Sequence, residues 1–314
     1  MNTLSNKLIV TPSPHVKDSV TTQSIMGNVV LALAPAMVAS VLIFGVRALL
    51  ILITCVVSCV AAEYLFEMVC KKPNTTKDLS AVVTGVILAM NLPSSLPLWM
   101  AAVGSIVAIV VVKQLFGGIG QNFANPAITA RVVLLISFTQ PMTKWVSPNF
   151  GTAAFDAMGG ATPLAVMKNA GETLPSLTGM LLGFHGGSLG ETCSIALLIG
   201  GLYLIAKKII SPIIPASFIA TVFVLTAVLG QNPIYHILGG GLFLGAFFMA
   251  TDYVTSPVTD KGKLIFGIGC GVITVLIRLF ANYPEGVSFA ILLMNIITPH
   301  IDNLTRNKAF GGAY

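Results

Sequence analysis

The chain is 314 residues long, 55% hydrophobic and only 9% charged, with a formal net charge of +6 and a mean hydropathy of +0.90. Soluble domains carry about 25% charged residues, so the composition excludes an ordinary water-soluble enzyme and indicates an integral membrane protein. The positive balance does not indicate a nucleic-acid surface, because the Lys and Arg residues are spread thinly between apolar runs, where they set membrane topology.

The first 22 residues hold Lys7, Pro12, Pro14, Lys17 and Asp18. No apolar core follows a basic start there, so this stretch does not read as a signal peptide, and 1–23 is expected to be a cytoplasmic segment. A membrane crossing needs about 20 apolar residues, fewer where a helix is broken. Spans are predicted near 24–45, 47–69, 79–92, 97–116, 125–141, 191–206, 210–230, 234–251, 263–281 and 286–304. The third and eighth are short and end in the polar or Pro-bearing turns "AMNLPSSLP" and "MATDYVTSP". A broken helix is tolerated at membrane depth only where protein or a cavity covers its freed backbone.

Lys and Arg predict the orientation. With the N-terminus inside, twelve of them (Lys7, Lys17, Lys71, Lys72, Lys77, Lys113, Lys207, Lys208, Lys261, Lys263, Arg306, Lys308) fall inside and four (Arg47, Lys144, Lys168, Arg278) outside. That bias places both termini in the cytoplasm and the 142–190 loop outside. The halves also echo each other: "VVKQLFGGIG" (111–120) before "PAITARVVLLI" parallels "LIRLFANYPEG" (276–286) before "VSFAILLMNII". "VTGVILAMN" (83–91) likewise resembles "LGAFFMATD" (244–252). Five spans per half is odd, so the second copy must run inverted. The expected fold is therefore an all-α membrane protein with two inverted five-helix repeats, 24–141 and 191–304, and a C-terminal tail at 305–314. Broken helices in inverted repeats characterise transport proteins.

The five cysteines, Cys55, Cys59, Cys70, Cys193 and Cys270, form no CxxC pair, so zinc or an iron–sulfur cluster held by this chain alone is not expected. Cys55 and Cys59, one turn apart, read as apolar packing. Asn91, Thr251 and Asp252 sit where the short helices fail, and either line an ion path or cap freed backbone. Arg131, inside the fifth span, needs a partner or a polar cavity. Glu63 and Glu67 share a face near the cytoplasmic end of span two, where snorkelling would explain them. "ANPAI" (124–128) suggests the half-helix of a water channel, but Asn125 followed by Pro126 is also ordinary helix-start chemistry, as is "QNPI" (231–234). Gly241-x-x-x-Gly245 and Gly267-x-x-x-Gly271 predict close helix approach. His15, His185, His236 and His300 stand at no ligand spacing, and no nucleotide loop, triad or zinc motif is present.

"FDAMGGATPLA" (155–165) is the odd stretch of the outer loop. Thr162 before Pro163 reads as an N-cap that starts a short helix. The alternative is a modified hydroxyl, with Gly159, Gly160 and Ala161 giving room, Asp156 a nearby acid, and a helix N-terminus favouring phosphate.

Six ordered blocks then carry a resemblance: "TPSPHVKD" (11–18), "LSAVVTGVILAMNLP" (79–93), "GGIGQNFANPAITARVVLLISF" (117–138), "DAMGGATPLA" (156–165), "FMATDYVTSPVTDKGKLIFG" (248–267) and "YPEGVSFAILLMNIITPHID" (283–302). The chain resembles the family of the Rnf-complex D subunit and the B subunit of sodium-pumping NADH:quinone reductase, closer to the former in having no long N-terminal extension. The resemblance implies a component of a prokaryotic inner-membrane complex. That complex passes electrons from reduced ferredoxin to NAD⁺ and moves Na⁺ or H⁺, with no complete catalytic site in this chain alone. It also implies FMN joined to Thr162 by a phosphoester, installed by a flavin transferase that recognises Asp156, Gly160 and Ala161, and in some relatives a noncovalent riboflavin. The chain departs from the family pattern at Gly159, where Ser or Thr is usual. Implied partners are a second covalent-flavin subunit and iron–sulfur subunits. The competing expectation is an inverted-repeat solute channel or transporter with Thr162 unmodified.

Overall fold

In lipid a chain must satisfy its backbone within itself, and a helix does so locally. The structure, a computed structural model, describes residues 20–148, 162–168, 174–281 and 286–306, and all fourteen α-helices in it fall on or between the predicted spans. Helix α1 (Thr22–Phe44) starts on Thr21, whose hydroxyl accepts the Ser24 N–H at 3.2 Å. Gly45 joins it directly to α2 (Val46–Val69). At 1.5 Å per residue, the 24 residues of α2 reach about 36 Å, enough for a hydrocarbon core of about 30 Å.

The next helix, α3 (Ser80–Met90), has 11 residues and covers about half that depth. It stops at Asn91, and an irregular stretch leads to α4 (Leu98–Ile106), which widens into a π-helical segment at Val107–Gln114. Helix α5 (Pro126–Ser137) follows, with Asn125 accepting the Ala127 and Ile128 N–H groups at 3.0 and 3.3 Å. Three short helices come next: α6 (Thr139–Thr143), α7 (Pro163–Lys168) and α8 (Leu177–Leu182).

The remaining elements follow in chain order. Helices α9 (Ser194–Ala206) and α10 (Ile213–Val228) are followed by a broken element. That element comprises α11 (Pro233–Leu238), α12 (Leu242–Leu244) and a π-helical segment at Gly245–Met249. Two long helices close the chain, α13 (Asp260–Phe280) and α14 (Val287–Thr305). Asn232 caps α11 as Asn125 caps α5, so both Asn-Pro pairs are helix starts.

The bundle is apolar outside and partly polar inside. Leu31, Val38, Leu42, Val57 and Leu65 are exposed, whereas Glu63, Glu67, Lys113, Arg131 and Arg278 are buried. Helices α1, α2, α13 and α14 are each long and apolar enough to cross a membrane, and five further apolar helices are shorter. This is a multi-pass membrane protein. Within it, α2 packs on α3 and α4, α10 on α13, and α13 on α14; α1 meets α9 and α5 meets α14.

Close approach of α10 and α13 depends on Gly267. A Cβ there would overlap the Ser217 hydroxyl and lie 3.0 Å from the Ile214 carbonyl oxygen. Gly267→Leu should therefore lower stability by about 1–3 kcal/mol, the usual cost of overpacking. Thermal unfolding in detergent reads this as a lower midpoint. Ile265→Leu, at an exposed position on the same helix, should leave it in place.

Candidate functional site

The two interrupted elements meet end to end. Asn91, which closes α3, donates to the Ile87 carbonyl at 2.7 Å and to the Met249 sulfur at 3.2 Å. Met249 ends the opposing broken element, and its carbonyl accepts from the Asn125 amide at 3.3 Å. Asn295 on α14 completes the junction when its amide nitrogen faces the Ile291 and Thr255 carbonyls, each at 3.3 Å. Its oxygen then accepts the Asn125 N–H at 3.1 Å. Thr298 adds a bond to the Thr255 carbonyl at 3.0 Å. On the other side of the first break, the Gly190 and Leu189 N–H groups reach the Met90 and Leu92 carbonyls at 2.7 and 3.0 Å. Four elements and a loop thus cover backbone that the breaks release.

A cavity of about 350 Å³ opens beside this junction. Its walls are mostly apolar, with Ser80, Lys113, Asn122, Thr251 and Asp252 among the polar points. Asp252 is half-buried and takes hydrogen bonds from Thr255 at 3.1 Å and from the Asn122 side chain. Thr251 donates to the Phe247 carbonyl at 2.7 Å, which serves its own helix. The structure therefore brings Thr251 and Asp252 to one cavity. Asn91 is buried in the junction behind it and does not line the cavity.

The sequence reading of Glu63 and Glu67 as snorkelling groups is corrected. Glu63 is 0% exposed, and Lys113, 3% exposed, pairs with it at 2.5 Å. Lys113 also donates to the Ser80 hydroxyl at 2.6 Å, and Gln114 donates to Glu63 and Glu67 at 2.8 and 3.4 Å. The π-helical turn that ends α4 presents both Lys113 and Gln114 toward α2. Such widened turns mark functional sites more often than chance. The signal available in the sequence was a Lys-Gln pair ending one span opposite two acids one turn apart on another. The charge count treated Lys113 only as a topology marker. Arg131 found the partner it needed in the Ser288 hydroxyl on α14.

Elsewhere in the bundle, Thr162 opens α7. Its hydroxyl accepts the Ala165 N–H at 3.2 Å and its carbonyl the Val166 N–H at 3.0 Å, so the capping role holds. The side chain is 1% exposed. Asp156, Gly159, Gly160 and Ala161 lie outside the described residues. Helix α7 leans on α11, and a second pocket of about 160 Å³ lies between them and α13, lined by Leu164, Met167, Lys168, Gln231, His236 and Arg278 among others. Partial burial lowers the Lys168 ammonium below its ordinary pKa. In sequence His236 stands at no ligand spacing and Arg278 counts as an outer charge; the fold brings them together.

A helical membrane bundle with breaks that meet in its interior, a cavity at the breaks and buried charged side chains is the class these features define. The chain belongs to the NQR2, RnfD, RnfE family, whose model matches residues 9–311. It is 49% identical over 315 residues to the D subunit of the Na(+)-translocating ferredoxin:NAD(+) oxidoreductase complex of Acetobacterium woodii, covering 99% of this chain and 97% of that one. It is 44% identical to the D subunit of the proton-translocating ferredoxin:NAD(+) oxidoreductase complex of Clostridium ljungdahlii, covering 98% and 97%. It is 40% identical to the D subunit of the ion-translocating oxidoreductase complex of Stutzerimonas stutzeri, covering 91% of each.

The Glu63–Lys113 pair makes a stability prediction. Lys113→Met leaves a buried carboxylate without its cation and should cost roughly 3–5 kcal/mol. Adding Glu63→Gln to Lys113→Met should recover most of that loss. Denaturant unfolding of the two single variants and the double variant in detergent checks it; additive losses would contradict the coupling.

Proposed function

We propose that this chain is the membrane-embedded D subunit of an Rnf-type complex, which passes electrons from reduced ferredoxin to NAD⁺ and moves Na⁺ or H⁺ across the membrane. The observation that carries the reading is end-to-end similarity to components of ion-translocating ferredoxin:NAD(+) oxidoreductase complexes in two organisms. Partner subunits, among them a second covalent-flavin subunit and iron–sulfur subunits, would complete the electron path.

Thr162 is the proposed attachment point of FMN through a phosphoester, with Asp156, Gly160 and Ala161 as the handle for a flavin transferase. The position suits the group. A hydroxyl at the start of α7 already receives a backbone N–H, and an anionic phosphate placed there would meet the same donors. Bound FMN would supply one-electron and two-electron redox chemistry, and the chain's own work would be to hold and tune it. The inner cavity, at about 350 Å³ and largely apolar, is the proposed place for a noncovalent riboflavin.

The scaffold is read as ten spans in two inverted repeats, 24–141 and 191–304. The element order of the halves supports it, as do the α1–α9 and α5–α14 contacts, which pair like with like across the halves. The charge bias supports cytoplasmic termini at 1–23 and 305–314 and an outer loop at 142–190. In that frame α3 rises from the inside and the segment ending at Met249 descends from the outside. Two carbonyl-bearing helix ends then meet near the midplane, where they would favour a cation. Asn91 holds that meeting point, and Thr251 with Asp252 would form the cytoplasmic side of an ion path.

Two outcomes test the reading. Protein made with a competent flavin transferase should keep ultraviolet-excited flavin fluorescence on a denaturing gel, and Thr162→Ala should abolish it. An unmodified Thr162 would instead indicate a solute channel or transporter. Asp252→Asn should reduce coupled ion transport in vesicles at least tenfold while the fluorescent band remains, and undiminished transport would remove Asp252 from the path.

A further inference from the structure

We infer that the outer pocket between α7, α11 and α13 receives the carbonyl-bearing edge of the flavin ring attached at Thr162, and that His236, Lys168 and Gln231 set how readily that flavin is reduced. The inference rests on the attachment proposed above.

The pocket is lined by groups that donate. Lys168 offers an ammonium, Arg278 a guanidinium, Gln231 an amide and His236 its ring. His236 is 4% exposed, and neither ring nitrogen has a hydrogen-bond partner among the described residues. A buried polar group left in that state is costly, so an imidazole with no partner among the described residues, facing a pocket, indicates a ligand that would meet it. Lys168 uses one donor on the Ala281 carbonyl at 2.5 Å, and an ammonium has three.

The floor is built. Arg278 donates to the carbonyls of His236, Gly239 and Gly240, the last two at 3.0 and 3.1 Å. Gly240 has a positive φ of 69°, and a Cβ there would collide with both the Arg278 guanidinium and Leu164. Only glycine lets α13, α7 and the turn after α11 close on one another at this spot. The guanidinium thereby orients the carbonyl end of α11, and His236 sits within that last turn.

Reach and size agree with one ring edge. Helix α7 has six residues and is about 9 Å long, so Leu164, Met167 and Lys168 all lie within two turns of Thr162. The phosphoester and ribityl chain of FMN can span that separation. At about 160 Å³ the pocket is smaller than the roughly 300–1,000 Å³ of a site that swallows a whole drug-sized ligand. The pyrimidine edge of a flavin carries two carbonyls and one ring nitrogen that accept hydrogen bonds, and one ring N–H that donates. Reduction moves negative charge onto that edge, and donors or a cation beside it favour the reduced form.

The test uses the full chain, flavinylated by the transferase and purified in detergent. Attachment is scored by gel fluorescence, and the flavin potential by redox titration of its absorbance. Lys168→Met and His236→Leu should keep the fluorescent band and shift the reduction equilibrium at least tenfold toward the oxidised form, which is 59 mV for a one-electron couple. His236→Gln, which keeps a donor, should stay closer to the unchanged chain than His236→Leu. Lys144→Met, an exposed cation of the same loop, should leave the potential unmoved. Should His236→Leu fail to accumulate, Lys168→Met and His236→Gln carry the comparison. Unaltered potentials in Lys168→Met and the His236 variants, with flavin attached, would overturn the inference and leave the proposed function standing. A flavin-free unmutated chain would overturn both.

Discussion

The structure depends on one constraint, that a helix stopped inside a membrane protein releases carbonyl and amide groups that water cannot reach. Here both breaks are answered by protein. Asn91 and Asn125 bond the sulfur and the carbonyl of Met249, and Asn295 with Thr298 holds the chain at Thr255. Backbone N–H groups of Leu189 and Gly190 cover the carbonyls after α3. Each solution recruits an element distant in sequence, so the breaks bind the two halves together. The packing of α5 against α14 follows from the same residues, since Asn125 opens one and Asn295 lies on the other.

The cavity is a consequence of those breaks. Irregular chain after Met249 cannot pack as densely against α1 and α3 as a helix would, and the gap is walled by Phe247, Phe248, Ile87 and Asp252 among others. Polar side chains that serve the backbone, such as Thr251, are thereby also presented to open space. Capping and lining are not competing roles at such a place. The same holds for Thr162, whose hydroxyl caps α7 and is chemically competent to carry a phosphoester.

Apolar run length and turn chemistry made the elements legible. Among the boundaries of α1 to α5 and α9 to α14, several follow from the Thr21, Asn125, Asn232 and Thr259 caps, each a residue type that favours a helix start. The GxxxG pair at Gly267 and Gly271 correctly marked a close helix contact, with α10 as the partner. What the sequence hid was pairing across distance. Glu63 stands 50 residues from Lys113, and His236 stands 42 from Arg278. Nothing local distinguishes a buried paired charge from an interfacial one, because both sit near the end of an apolar run. Only the π-helical turn at Lys113, which no propensity rule predicts, aims that side chain inward.

The two buried cations make a sharper physical point. Lys113 and Arg278 each lie near the end of the fourth main element of their half, one residue apart in the register that aligns the two Leu-Phe pairs. Their surroundings differ in kind. Lys113 faces carboxylates and a hydroxyl, whereas Arg278 holds three backbone carbonyls beside an imidazole. A compact ammonium suits the first, where one carboxylate oxygen is its partner; a planar fork suits the second, where several carbonyls must be gathered at once. Neighbouring register positions near the ends of two comparable elements thus hold one cation among carboxylates and the other among backbone carbonyls. An inverted repeat is symmetric by construction and cannot by itself tell inside from outside. The different partners of Lys113 and Arg278 make the two halves chemically unlike.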